Sequence, residues 1–88
     1  MWTKERIVAF REKAELRQED LAAAFGMSTR SWQDIENGVT KIRMWHILAL
    51  DHLTLMLAVE KGDASLVDPI TAKTARDFAK LPAKQSPA

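Results

Sequence analysis

Along the first half of the chain, apolar residues return every three or four positions and are cut off repeatedly by short polar or glycine-bearing breaks. Over residues 3–15 the recurring set is Ile7, Val8, Phe10 and Ala14. Lys4, Arg6, Arg11 and Lys13 occupy the other sides, which predicts an amphipathic helix. Residues 18–25 are good helix formers with Glu19 and Asp20 in the first turn, where the helix dipole favours acids, and Gly26 closes the segment. Ser28 can cap a third helix over 29–37, whose apolar positions are Trp32 and Ile35 and whose stop is Asn37-Gly38. The turn at Gly26-Met27-Ser28 is too short for a side-by-side hairpin and suits two helices crossing steeply.

Residues 42–61 contain neither Gly nor Pro, and Gly62 supplies a stop, so one long helix, or two joined by a kink, is expected. Its apolar residues form two stripes, Trp45, Leu48, Ala49, Met56 and Val59 on one side and Ile47, Leu50, Leu53 and Leu57 on another. A helix apolar on two sides has two partners. One is expected to be the domain's own core and the other a second copy of the chain, with Ile47, Leu50, Leu53 and Leu57 as the predicted dimer interface. Beyond residue 62 the apolar density falls and prolines recur. This divides the chain into a domain over 1–62 and an extension over 63–88, with a short amphipathic helix over 70–81 and a disordered end at 83–88.

Length and composition narrow this picture. Eighty-eight residues support one small core, and with no cysteine neither disulfides nor thiolate zinc sites can reinforce it, which leaves self-association. The opening residues carry Lys4, Glu5 and Arg6 without an apolar run, so no secretory signal is expected. Arg43, His46, Asp51 and His52 interrupt the most apolar stretch, so no membrane span is expected either. A cytoplasmic location is the expectation. The formal net charge is +1 and the signs are mixed along the chain, so charge alone does not point to nucleic acid.

Enzymatic chemistry finds no support in the residue pattern. Glycine occurs only at 26, 38 and 62, which excludes a glycine-rich phosphate loop, and no Ser, His and Asp set can be argued as a triad. His46 and His52 lack companions at metal-ligand spacing and read as structural. Trp2, Trp32 and Trp45 read as core or interface residues, because no basic groove with interleaved aromatics accompanies them. No catalytic residue, metal, cofactor or small-molecule ligand is expected.

The informative stretch is Gln18-x-x-Leu21-Ala22-x-x-Phe25-Gly26-Met27-Ser28-x-x-x-Trp32-x-x-Ile35-Glu36-Asn37-Gly38. Ala22 is small enough for one helix to cross another closely, Gly26 allows the turn, and Leu21, Phe25, Met27, Trp32 and Ile35 fill the wedge beneath. Thr29, Arg30, Gln33 and Asp34 then lie on the outer side of the third helix.

From about residue 7 to 53 this pattern resembles the Cro and lambda-type repressor helix-turn-helix family, also called Xre. The matching residues are Arg11, Leu16 to Ala22, Phe25-Gly26, Ser28 and Ile35-Glu36-Asn37-Gly38. The resemblance implies an all-α, compact four- or five-helix lambda-repressor-like domain with a long C-terminal helix. It implies a homodimeric, autoregulatory repressor on an inverted-repeat operator in double-stranded DNA, similar to small phage or anti-CRISPR-associated regulators. By resemblance Thr29, Arg30, Gln33 and Asp34 face base edges, where Arg suits guanine and Gln adenine. Arg17, Gln18, Ser28, Asn37, Lys41 and Arg43 are implied to hold phosphates, and Arg11 and Glu36 to form a structural pair.

The break usual after the fourth helix is missing, so dimer geometry is not carried over from the family, and three residue departures stand out. Glu15 replaces a glycine at the end of the first helix, Arg17 replaces a Ser or Thr cap, and Trp32 replaces a smaller aliphatic residue. Two rival functions share the fold: an antitoxin whose tail binds a toxin, and a protein adaptor that no longer binds DNA.

Overall fold

The computed structural model describes residues 1–83; the disordered end expected from 83 onward falls, past Ala83, outside the described residues. Five α-helices and one short 3₁₀ turn follow in order: α1 (Lys4–Lys13), α2 (Gln18–Ala24), α3 (Thr29–Glu36), α4 (Met44–Lys61), the turn Ala64–Leu66, and α5 (Pro69–Ala79). Among the described residues there is no strand, and the fold is all-α as expected. No helix among them is long and apolar enough to cross a membrane.

Local chemistry sets each helix boundary. The Thr3 hydroxyl accepts from the Arg6 amide at 3.1 Å and starts α1, and the Ser28 hydroxyl accepts from the Ser31 amide at 3.1 Å and starts α3. Neither α2 nor α4 has an oxygen at its cap position, which is Arg17 in one and Arg43 in the other. Both use the reverse bond, in which a side chain three residues on reaches back to the cap amide. Asp20 accepts from the Arg17 amide at 2.8 Å, and His46 Nδ1 accepts from the Arg43 amide at 2.9 Å. α1 ends in the pattern that usually needs glycine: the Leu16 amide donates to the Arg11 carbonyl and the Glu15 amide to that of Glu12, with Glu15 at φ 59°. The acidic residue therefore adopts the left-handed conformation, at a cost of about 1 kcal/mol.

The core joins all four of the first helices. Trp32, Ile7, Leu21, Ile35 and Leu50 are fully buried, with Phe10, Ala14, Ala22 and Trp2 beside them. α4 is one continuous helix of 18 residues. The side it turns inward carries His46, Leu50, Thr54 and Ala58, flanked by Ile47, Leu53 and Leu57, which pack on the core. This corrects the dimer expectation at Leu50, which is 0% exposed and has no surface left for a second chain; Ile47, Leu53 and Leu57 are partly buried against the core, and Leu53 also lines a groove with Trp45 and Met56. The uncovered stripe is the other one: Met44, Trp45, Leu48, Met56 and Val59 are all more than half exposed.

The fold also continues past residue 62. Leu66 is buried in the core, the Lys13 ammonium donates to the Ser65 carbonyl at 2.9 Å, and Arg6 bonds Asp68 at 3.2 Å. Arg6 also lies over the Trp2 ring at 3.9 Å, while the Trp2 indole donates to Asp51 at 2.7 Å. These contacts tie the N-terminus, α4 and the start of the extension together. α5 is different. Asp68 caps it and Pro69 starts it, yet it buries no residue, and Ile70, Phe78 and Leu81 are exposed. The radius of gyration, 14.5 Å, exceeds the ~12 Å expected of a compact chain of this length.

Candidate nucleic-acid interface

The turn between α2 and α3 holds the outer face of α3 in place from both sides. Gly26 takes φ +65°, a conformation open to glycine, and the Met27 amide closes the end of α2 on the Ala22 carbonyl at 2.8 Å. Inside the angle, Phe25 packs on Trp32 with ring centroids 4.8 Å apart. The indole that replaces a smaller aliphatic residue has a polar end to satisfy, and its N–H donates to Glu36 Oε2 at 2.6 Å.

Glu36 is the centre of a buried polar network. Arg11 donates to both its oxygens, at 2.9 and 3.1 Å, and Gln18 donates to Oε1 at 3.1 Å. Arg11 also reaches the Leu16 carbonyl at 3.2 Å, which ties the α1–α2 connection to the same point. Burial disfavours the Glu36 charge, but the hydrogen bonds from Arg11, Gln18 and Trp32 outweigh it and hold the carboxyl below its ordinary value of 4.5. No buried side-chain polar atom lacks a partner among the described residues.

This network sets the posture of two residues singled out from the sequence. Gln18 Oε1 accepts from Gln33 Nε2 at 3.1 Å, so the α2 and α3 amides are bonded to each other. That bond uses one of the two N–H groups of Gln33 and leaves its amide oxygen and second N–H without a protein partner among the described residues, the donor and acceptor pair that a base edge needs. Thr29 and Arg30 are exposed on the first turn of α3, and Asp34 is half-buried one turn on. Arg30 Nε lies 3.5 Å from Asp34 Oδ1, so the most exposed cation of α3 is partly neutralised along its own helix.

The residues implied as phosphate contacts fall into two groups. Arg17, at the start of α2, pairs with Glu19 at 2.8 Å and Asp20 at 3.6 Å. Asn37, Lys41 and Arg43 are exposed along the connection from α3 to α4, and no carboxylate pairs with Lys41 or Arg43 among the described residues. The Ser28 hydroxyl is engaged in its cap and in a bond to Ser31 at 2.9 Å. Among the described residues no group of three His, Cys, Asp or Glu side chains is placed to hold a metal ion.

Sequence reasoning did not find the buried role of His46. Burial pushes its imidazole below the ordinary value of 6.5, and the Arg43 charge adds to the effect. The neutral ring with Nδ1 free is the form that caps α4. The capping spacing, a residue three positions after a cap, was the available signal, but His is not the residue type usually sought there.

Two short helices joined by a four-residue turn containing Gly26, the second with a polar outer face locked to the first, define a helix-turn-helix unit. A family model described as a helix-turn-helix domain matches residues 5–63, more than half of the 88 residues, and the chain belongs to that family of DNA-binding modules. No curated protein and no solved structure matches the chain.

Proposed function

We propose that this protein is a transcriptional repressor of the Cro and lambda-type kind rather than an enzyme. It acts in the cytoplasm as a homodimer on an inverted-repeat operator, its own promoter included, as phage regulators of this size do, and no small-molecule effector is needed. The observation that carries this reading is the exposed first turn of α3, with Arg30 outward and Gln33 fixed against Gln18, so that the reading groups are oriented before DNA arrives. Arg30 and Gln33 supply base discrimination with Thr29 and Asp34 beside them. Asn37, Lys41 and Arg43 hold the backbone from the α3–α4 connection, with Arg17, Gln18 and Ser28 at the helix starts. Repression follows from occupancy of a promoter.

The test is selection of bound sequences from random duplex DNA, with the wild type and an Arg30→Ala/Gln33→Ala variant in parallel. The wild type is expected to enrich an inverted repeat that the variant loses. Failure of the wild type to enrich any sequence at low salt overturns the proposal. Because Arg17 and Arg30 are already paired with carboxylates, affinity should fall with salt less steeply than the count of basic residues on this face suggests.

One observation favours a second reading, in which the chain also binds another protein as an antitoxin or adaptor does. α5 buries nothing and leaves Ile70, Phe78 and Leu81 exposed. Limited proteolysis of the isolated protein separates the readings: cleavage within α5 favours a partner for the tail, and protection removes that reading.

A further inference from the structure

The outer face of α4 is a continuous apolar surface. At 100° per residue, Met44, Leu48, Val59, His52, Trp45 and Met56 fall on one side of a helix ~27 Å long. Their exposures run from 51% for Trp45 to 84% for Val59, with His52 also exposed. Beside Trp45 and Met56 this face dips into an apolar groove of about 540 Å³ against the end of α2, walled there by Ala24 and Phe25. Polar groups are few: His52 lies at the middle and Glu60 at one end. Side chains of this size leave on the order of 100 Å² each in water, so the face and groove together approach the ~600 Å² per partner at which stable interfaces begin.

The spacing of the residues shows what fits this face. A two-fold axis crossing α4 at His52 pairs Trp45 with Val59, a large residue against a smaller one, and Leu48 with Met56, two apolar residues of similar volume. The helices then run antiparallel, with opposed dipoles, and Glu60, the one carboxylate on this face, lies opposite Met44 and not opposite another charge. We propose that this face, centred on His52, is the self-association surface and that its occupant is the same face of a second copy. The proposal rests on the dimeric repressor reading and supplies the interface that reading needs.

The absence of cysteine makes the register measurable, since one introduced thiol is the only thiol in the chain. Facing Cα atoms at the axis come within the 4.4–6.8 Å span that a disulfide bridges, and positions one or two turns away do not meet their own copies. Sedimentation of the full chain should show a dimer at protein concentrations on the order of 100 μM or below. Under mild oxidation His52→Cys should crosslink to itself and Val59→Cys should not. An equimolar mixture of Leu48→Cys and Met56→Cys chains should crosslink although neither does alone. Met56→Glu should be monomeric with unchanged helical circular dichroism, and should still bind a single half-site weakly at low salt.

Three results overturn the proposal. They are a monomeric wild type, Val59→Cys crosslinking as fast as His52→Cys, and a dimer that survives Met56→Glu but is lost in Phe78→Glu, which would assign association to α5. A wild type that dimerises in this register yet binds no duplex supports this surface and removes the DNA-reading proposal instead.

Discussion

The two sides of this small domain solve the problem of burial in opposite ways. On the α1–α3 side polar groups go inward and are satisfied: the Glu36 carboxylate takes hydrogen bonds from three side chains, and through Gln18 the network reaches Gln33 at the surface. On the outer side of α4 apolar groups face outward, and none of the described residues covers them. A polar hub demands one geometry, because each donor and acceptor must be met, and so it fixes a reading surface in advance. An apolar stripe demands only contact, and it is the cheaper way to join two copies.

The sharpest test of the contrast is to break one residue on each side. Glu36→Ala should destabilise the fold by about 3 kcal/mol, because it strands the Arg11 guanidinium and the Trp32 N–H. Leu48→Ser, at 63% exposure on α4, should change the unfolding free energy of the dilute monomer by no more than ~0.5 kcal/mol. Urea titration at low protein concentration compares the two. Equal losses would erase the distinction between a fold-holding side and an uncovered one.

A smaller effect is expected from acid. The His46 pKa is lowered in the fold, so the unfolded chain binds a proton first. Stability is therefore full above the ordinary value of 6.5 and falls as pH drops through the folded value. The Glu36 carboxyl, also lowered, adds a separate loss below 4.5. His46→Gln keeps an acceptor for the Arg43 amide but does not titrate. Thermal melts at a series of pH values should show that it removes the upper step and leaves the lower one.

The smallest change goes the other way. Glu15→Gly relieves the left-handed residue at the end of α1 and should stabilise the protein by about 0.5 to 1 kcal/mol, after the added freedom of the unfolded chain is subtracted. A lower midpoint in urea would mean that the Glu15 side chain does something the backbone angle does not reveal.

Those outcomes also bear on what the sequence made legible. The first three helices and their turn could be read because the signals are local: Ser28 caps, Gly26 turns and Asn37-Gly38 stops, each independent of the rest of the fold. Glu15 could be recognised as a strained position for the same reason. The facing of α4 could not. Both of its stripes are apolar, and the inward side carries His46 and Thr54, two polar residues whose burial is allowed by local bonds, from His46 to the Arg43 amide and from Thr54 to the Asp51 carbonyl at 2.7 Å. Periodicity shows two stripes but not which of them the core takes. The clasp made by Trp2, Arg6, Asp51 and Asp68 was likewise invisible, since its bonded partners lie 49 and 62 positions apart.

Phe25 belongs to both sides at once. Its ring packs on Trp32 behind the reading helix, and it also walls the groove, 6.3 Å from the Trp45 ring. A ring shared in this way links two equilibria. If a second copy seats in the groove, the free energy it adds toward one orientation of α3 must be matched, to the same extent, by what bound DNA returns to the seated copy. Promoter occupancy would then rise more steeply than in proportion to protein concentration, which sets a concentration threshold through the fold itself.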